Sequence, residues 1–439
     1  MKRSVKIASA IAGAAVLVAL GIAIPTALNR PGAFASSKNT GSASTAAPVT
    51  ITLGTWGGAQ ENQQLMQIID KINQKYKGKF VIEDYNVPGG NYDQKLNTEF
   101  AAGTAPDIFY VDDSLAQTYA SEGVLLDLTQ YINEFKSKAL VANPANYYPN
   151  TLVDVRYSGH YYALPWIAQP VVMYYNPKLF QQAHLPIPSP NWTWQDFMRD
   201  AKKLTNPSKG IYGYLQSNGW PPVEMYIWSY GGDIYNASKT KALLNTPADI
   251  KGLTLMADMV KEGVVPPLAK LANVDIEDLF RQGRVAMFAG GAADGNYDTN
   301  GFTAKIQQMP MGTTHATDLY IADLAINAHS KVPKEDLYLA YTALLDGIDH
   351  WKIVPPVKQY AANLQDIVVP GAPGNHTPSD RIQPILESLK YAKVIPVVKN
   401  MANYWNIMSN DIYQPLLLGQ MTPQQAAQKA EQDLNANLK

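Results

Sequence analysis

Indole rings, carboxylates and side-chain amides recur in this sequence at one kind of position, just beyond an apolar run that reads as a strand. Thr55-Trp56-Gly57-Gly58 follows the first such run and Asp112-Asp113-Ser114 the third. Trp166 and then Gln169 follow Tyr161-Tyr162-Ala163-Leu164-Pro165, and Gly290-Gly291 and Asp294 follow Val285-Ala286-Met287-Phe288. An indole lies flat on an apolar C–H face, while Asp, Asn and Gln meet hydroxyls as acceptors and donors. Such a set suits a ligand with one C–H face and a ring of hydroxyls, which describes a sugar. Core packing is the alternative for Trp56 and Trp166, and a helix N-cap the alternative for Asp112 or Asp113.

Other chemistries are poorly served. The absence of cysteine removes disulfide scaffolds, thiolate metal sites, a cysteine nucleophile and a cysteine-linked lipid anchor. The six histidines (160, 184, 315, 329, 350 and 376) stand at least 14 residues apart and form no H-E-x-x-H, so neither a metal nor a cofactor is expected. No P-loop frame surrounds Gly89-Gly90, Gly231-Gly232 or Gly290-Gly291, and no G-x-S-x-G elbow occurs. With 36 basic against 37 acidic residues, the chain lacks the electrostatic footprint of a nucleic-acid binder. Glycoside hydrolysis needs two carboxyls flanking one bond, ~5–5.5 Å apart for retention or ~6.5–9.5 Å for inversion. Asp112 and Asp113, adjacent in sequence, are poorly disposed to flank a bond from both sides.

The elements that must position these residues alternate in type. Val49, Ile51 and Leu53 alternate with polar residues, predicting a strand that ends at Gly54. Leu65, Ile68, Ile69, Ile72 and Tyr76 then recur at helical spacing. A strand at Phe80-Val81-Ile82, a helix carrying Tyr92, Leu96 and Phe100, and a strand at 107–111 follow. Strand–helix–strand–helix–strand at these lengths predicts parallel pairing. Further strands are expected at 171–175 and 285–288, and a helix at 194–204 capped by Thr193. Thr246-Pro247-Ala248-Asp249 and Thr422-Pro423-Gln424-Gln425 read as capped helix starts with proline at the first position. The fold class is α/β. Ligands of open parallel sheets sit beyond the carboxyl ends of the strands, where the four clusters above fall.

The 439-residue chain opens with Met1-Lys2-Arg3 and Lys6, an uncharged stretch from 7 to 28, and Ala33-Phe34-Ala35. That pattern reads as an export segment over 1–35, either cleaved as a signal peptide or kept as a membrane anchor. Both outcomes place the remainder outside the cytoplasm. Residues 36–48 are small and polar, a flexible linker. Over the whole chain, 46% hydrophobic and 17% charged content, with 26 Tyr and 8 Trp against 10 Phe, describe a folded protein rich in rings with polar tips.

Several segments together carry a resemblance to a known family. They are Phe100-Ala101-Ala102-Gly103-Thr104-Ala105-Pro106-Asp107-Ile108, Gly123-Val124-Leu125-Leu126-Asp127-Leu128, and Tyr161 to Trp166 leading into Met173-Tyr174-Tyr175-Asn176-Pro177-Lys178-Leu179-Phe180. Gly283-Arg284-Val285-Ala286-Met287-Phe288 and Gly419-Gln420-Met421-Thr422-Pro423-Gln424-Gln425-Ala426 complete the set. In this order the chain resembles the extracytoplasmic solute-binding proteins of ABC sugar importers, which include the maltose-binding proteins. The resemblance implies two Rossmann-like lobes joined by a hinge, a type II periplasmic-binding-protein-like fold. The first lobe would take 49–165 and 309–350, the second 166–308 and 351–439. It also implies a carbohydrate ligand, ABC permease subunits as partners, a monomer and no catalytic turnover.

By motif position the resemblance puts Trp56, Gly57 and Asp112 or Asp113 at the cleft from the first lobe, with Trp166 and Gln169 at the first crossover. From the second lobe it offers the segment after Gly290-Gly291 and an aromatic near the end, Trp405 or Tyr404. Relatives often carry tryptophan just after that Gly-Gly turn, where this chain has Ala292-Ala293-Asp294. Stacking from that side is therefore expected of Tyr297 or Trp228. The lipoprotein cysteine of relatives is also absent. Trp192, Trp194, Trp220 and Trp351 are expected to be mainly structural. The alternatives are an exported glycoside hydrolase, the same scaffold holding a non-sugar solute, and a surface adhesion protein.

Overall fold

The computed structural model describes residues 47–57, 59–87, 92–216, 219–266, 275–294, 297–349, 356–362, 364, 378–398 and 400–438. The expected export segment, the linker as far as residue 46, Gly58 and Trp351 lie outside the described residues.

Strand β1 (Val49–Thr55) forms where the period-2 pattern predicts, with Ile51 and Leu53 fully buried. Strands β2 (Phe80–Asn86) and β3 (Ile108–Asp112) lie on either side of it, both parallel to it. The connecting helices, Ala59–Lys75 and Tyr92–Ala102, bury Leu65, Ile69 and Ile72, and Tyr92 and Leu96. The Asp107 carboxylate accepts from Thr52 N (2.9 Å), Thr52 Oγ1 (2.8 Å) and Ser330 Oγ (2.6 Å), fixing the start of β3 against β1.

After a short hairpin, β4 (Arg156–Tyr157) and β5 (His160–Tyr161), comes β6 (Ala163–Tyr175), a strand of 13 residues with every residue buried. The sequence reads 161–165 and 171–175 as separate strands with Trp166 and Gln169 beyond the first, whereas the structure joins them into one, although proline donates no ladder hydrogen bond. The strand runs through Pro165 by way of a bulge. Opposite it, β10 (Thr317–Ile326) steps from Ala322 to Asp323 while β6 steps from Ile167 to Pro165, so Trp166 is the bulge residue.

The remaining strands are β7 (Tyr212–Leu215), β8 (Val285–Gly291), β9 (Lys305–Gln307) and β11 (Ala392–Lys393). The order across the sheet is β2-β1-β3-β10-β6-β8-β7, with β9 on β6 and β11 on β10. The sheet is mixed. The outer pairs are parallel as expected, but β10 runs antiparallel to β3 and β6, and β6 antiparallel to β8. Strands β6 and β10 therefore cross between two sheet halves: their first and last segments pair with different neighbours.

Two large apolar clusters fill the fold. One holds Ile51, Leu53, Ile69, Phe109, Leu324 and Leu344 and reaches on through Val172, Tyr174, Leu215 and Phe288 into the second half, and the second holds Met173, Phe197, Tyr214, Met256, Ile412 and Leu434. Ala168, Leu319 and Ile321 of the crossing strands form a small separate patch. The helices 194–204, 247–261 and 423–437 start at Thr193, Thr246 and Thr422, each closing a reciprocal capping box with Asp196, Asp249 and Gln425.

Candidate functional site

Side chains alternate across a strand, so β6 and β10 have two unlike faces where they cross. Ala168, Leu319 and Ile321 take one. Gln169, Asp318 and Tyr320 take the other, and Tyr320 faces Gln169 directly in register. Asp112 at the end of β3 faces Ala322, two residues along β10 on that same polar face. A polar row thus runs over adjacent strands from Asp112 through Tyr320 to Gln169.

The row continues into the second half. Gln169 Oε1 accepts from Ala293 N at 2.6 Å. A Cβ added at Gly291 would lie 2.4 Å from the Gln169 side chain, so only glycine lets the amide lie on this turn. Asp294 Oδ2 accepts from Gly291 N at 2.7 Å, and the Tyr174 hydroxyl donates to Gly291 O at 2.9 Å. Asp294 also lines a cavity of about 80 Å³ with Gln216, Trp220, Glu277 and Gly290. The Trp220 indole donates to Ala289 O at 2.9 Å, which brings this tryptophan, expected to be mainly structural, beside Asp294.

On the other side of the row stand rings. Half-buried Trp56 meets Tyr92 and Tyr110 edge-on, with centroids 5.3 and 5.1 Å apart. Tyr110 in turn stacks on Trp166 at 4.5 Å and 26°. The Tyr92 hydroxyl reaches the carbonyls of Gly54 (3.2 Å) and Tyr110 (3.0 Å), tying β1 to β3 beneath Trp56. Gly57 O accepts from Asn86 Nδ2 at 3.0 Å, which fixes the loop carrying Trp56. The bulge aims Trp166 at Tyr110, and its ring is 2% exposed in this conformation.

Asp112 Oδ1 accepts from Ser114 N (3.0 Å) and Ser114 Oγ (2.5 Å). That is a tight turn of its own, and the helix Ala116–Ser121 that follows takes Leu115 as its N-cap with no side-chain bond. Asp113 Oδ2 accepts from Ile321 N at 3.4 Å, linking the loop to β10. Burial and the neighbouring Asp112, Asp154 and Asp318 push the Asp113 carboxyl well above the carboxylate range. Asp93 is pushed up to about 6 by burial and by Asp112.

Like Trp166, two of the other expected residues are enclosed. Tyr297 is 1% exposed, ringed by Tyr174 (4.9 Å), Phe288 (5.1 Å) and Phe280 (6.0 Å), with the Arg281 guanidinium 5.0 Å over it. It packs as a core ring. Trp228, 2% exposed, lies in the second interior on the helix Val223–Ser229. Trp405 is half-buried and edge-on to Tyr404 at 5.2 Å, and the Tyr404 hydroxyl donates to Glu224 Oε1 in a very short hydrogen bond. No motif marks Asp318, Tyr320 or Glu224 in the sequence. Asp318 and Tyr320 are found only by the alternation along β10, and Glu224 lies on the helix Val223–Ser229.

Comparison with known proteins fits this geometry. The family model described as bacterial extracellular solute-binding protein matches residues 58–344. A Brucella abortus protein described as a binding protein is 25% identical over 361 residues, 79% of this chain and 83% of its own length. The galactooligosaccharide-binding protein of Bacillus subtilis is 22% identical over 368 residues, covering 79% and 80% of the two chains. Among solved structures, an ABC substrate-binding protein from Listeria monocytogenes in complex with cycloalternan superposes with a TM-score of 0.76 at 24% identity. It covers 89% of this chain and 98% of that one. The fold is that of the type II periplasmic-binding proteins, two lobes joined by a hinge.

Proposed function

This chain belongs to the bacterial extracellular solute-binding proteins, and on that footing we propose that it captures a mono- or oligosaccharide between its lobes and delivers it to the permease of an ABC importer. The observation that carries the reading is the polar face of the crossing strands, Gln169 and Tyr320, bordered by Asp112 on one side and the Gly291–Asp294 turn on the other. Half-buried Trp56, backed by the enclosed rings of Tyr92 and Tyr110, supplies apolar surface beside hydrogen-bonding groups, as a sugar requires. Relatives named for galactooligosaccharide and cycloalternan binding support the class. We place the lobes at 49–165 with 309–350 and 166–308 with 351–439.

Capture proceeds by population shift. A ligand touching only the first lobe leaves the hinge equilibrium unchanged, whereas contacts from the second lobe add affinity for the closed form alone. No bond of the sugar is cut. The protein works outside the cytoplasm, released or held by its N-terminal segment, and no described helix is long and apolar enough to cross a membrane.

A thermal-shift screen of the purified protein against mono- and oligosaccharides tests the reading, since a ligand of the folded form raises the melting temperature. The expected result is a saturable rise with at least one saccharide, a smaller radius of gyration in solution scattering, and recovery of the sugar intact. Absence of a rise across the panel overturns it, and cleaved product would turn the reading to a hydrolase.

A further inference from the structure

We infer that the cleft selects a saccharide bearing a protonated amine, an amino sugar, over a neutral one; this rests on the saccharide-binding reading above. Carboxyl groups approach the polar row from nearly every element that borders it. Burial and then the charges of Asp112, Asp113, Asp93 and Asp294 act on Tyr320 at its centre, and all push its hydroxyl upward. Asp318, two residues before Tyr320 on the same face of β10, is 2% exposed, and its Oδ1 has no hydrogen-bond partner among the described residues. Glu224, 1% exposed, gives Oε1 to Tyr404, while its Oε2 likewise has no partner among them. Burial, then the charges of Glu224 and Asp112, push the Asp318 carboxyl upward.

Of the basic groups nearby, Arg381 is 1% exposed, with its guanidinium 5.9 Å from the Tyr174 ring centroid and 3.8 Å from Asp298, and two others are engaged elsewhere. Lys393, opposite Asp318 in β11, is half exposed, with its ammonium 3.9 Å from Asp233 and 5.5 Å from the Trp228 ring centroid. Arg281 lies over Tyr297 and pairs with Glu277 and Asp278. Hydroxyls of a neutral sugar hydrogen-bond to the carboxyls without favouring their charged forms. An ammonium donates three hydrogen bonds and also stabilises the carboxylates that burial and mutual repulsion disfavour. Among the described residues no three of these groups lie close enough to hold a metal ion. Acceptors spread over the span from Asp112 to Glu224 suit an organic cation carried on a larger frame.

Titration calorimetry of the full protein with a glucosamine trimer, its N-acetylated counterpart, maltotriose and spermidine tests this at pH 5.5 and 7.5. The glucosamine trimer is expected to bind roughly tenfold or more tightly than either neutral trimer at the higher pH. The gap should narrow at the lower pH. Binding should release protons, read from buffers of different ionisation enthalpy, because a bound cation draws the raised carboxyls into their charged form. Asp318→Asn and Glu224→Gln should each shrink the gap while the melting temperature shows the fold retained. If a neutral trimer binds as tightly as the amine, the inference falls and the saccharide reading stands. If spermidine alone binds, both fall. If none of the four binds, the inference falls.

Discussion

Trp166 and Tyr110 stack at 4.5 Å, joining the bulge of a crossing strand to the centre of the first sheet half. A bulge re-aims one side chain while the ladder continues on either side, and here it delivers an indole to the inner end of the row that begins at Trp56. The same contact joins packing to movement, because the strand that holds Trp166 also passes into the second half. Trp166→Ala is expected to cost about 3–5 kcal/mol in denaturant unfolding, from lost transfer energy and the cavity left behind. Trp166→Phe, which keeps a ring over Tyr110, should cost less than half as much. Equal losses would show that the stack contributes nothing beyond bulk.

Trp56 stands apart from that pair in being half-buried, with its edge contacts on one side only of the loop after β1. A ring in that position has area left for a ligand to cover. Trp56→Ala should weaken saccharide binding by about 1–3 kcal/mol, the apolar area lost, with an unchanged circular dichroism spectrum. Unaltered calorimetric affinity would remove Trp56 from the site.

Much of the architecture is legible in the sequence because the periodic elements are locally determined. Ile51 and Leu53 alternate, Leu65, Ile69 and Ile72 recur at helical spacing, and Thr193, Thr246 and Thr422 announce their helices with an acceptor three residues on. The central strands are not legible in this way. Residues 161–165 and 171–175 read as separate strands, and only pairing with β10, far away in sequence, shows them as one strand with a bulge at Trp166. The site divides along the same line. Trp56, Asp112 and Gln169 follow recognisable strand ends, whereas Asp318 and Tyr320 take meaning only from the face of β10 on which they lie. A net charge of −1 over the whole chain gives no hint that acids gather in one place, since charge balance averages over position. Residue type alone does not tell Trp228 and Tyr297, both enclosed, from Trp56.

Gly291 is a steric requirement more than a conformational one. Its missing Cβ leaves room for the Gln169 side chain, which in turn accepts from Ala293 N. Gly291→Ala should displace that amide and leave a buried donor without its acceptor, costing about 1–3 kcal/mol of stability. Saccharide affinity should fall with it, because the Asp294 turn shifts. Gln169→Ala in the Gly291→Ala background should then cost little more, since the two changes break one contact. Full additivity in the double mutant would show that the two residues are not coupled.

Asp154 and Asp323 are each fully buried, and their carboxyls meet beside the bulge. Burial, partly offset by its hydrogen bond with Asp323, pushes Asp154 up to about 6, and burial with the Asp154 charge pushes Asp323 well above its ordinary value. A carboxyl raised on folding binds more protons in the native chain than in the unfolded one. Its contribution is most favourable below the unfolded value of 3.8 and is lost as pH rises through the folded value. The pair therefore destabilises the protein progressively from about pH 4 to beyond pH 6. Asp323→Asn removes one titrating group and leaves an amide that donates to Asp154, so it should raise stability at pH 7.5 by about 1–3 kcal/mol. At pH 4 the advantage should vanish, because the wild-type pair then holds its protons. Melting temperatures of both proteins across pH 4–8 decide the matter. Parallel curves would mean that the two carboxyls titrate as they do in the unfolded chain, and a lower variant curve at every pH would mean that the Asp323 carboxyl makes a contact its amide cannot replace.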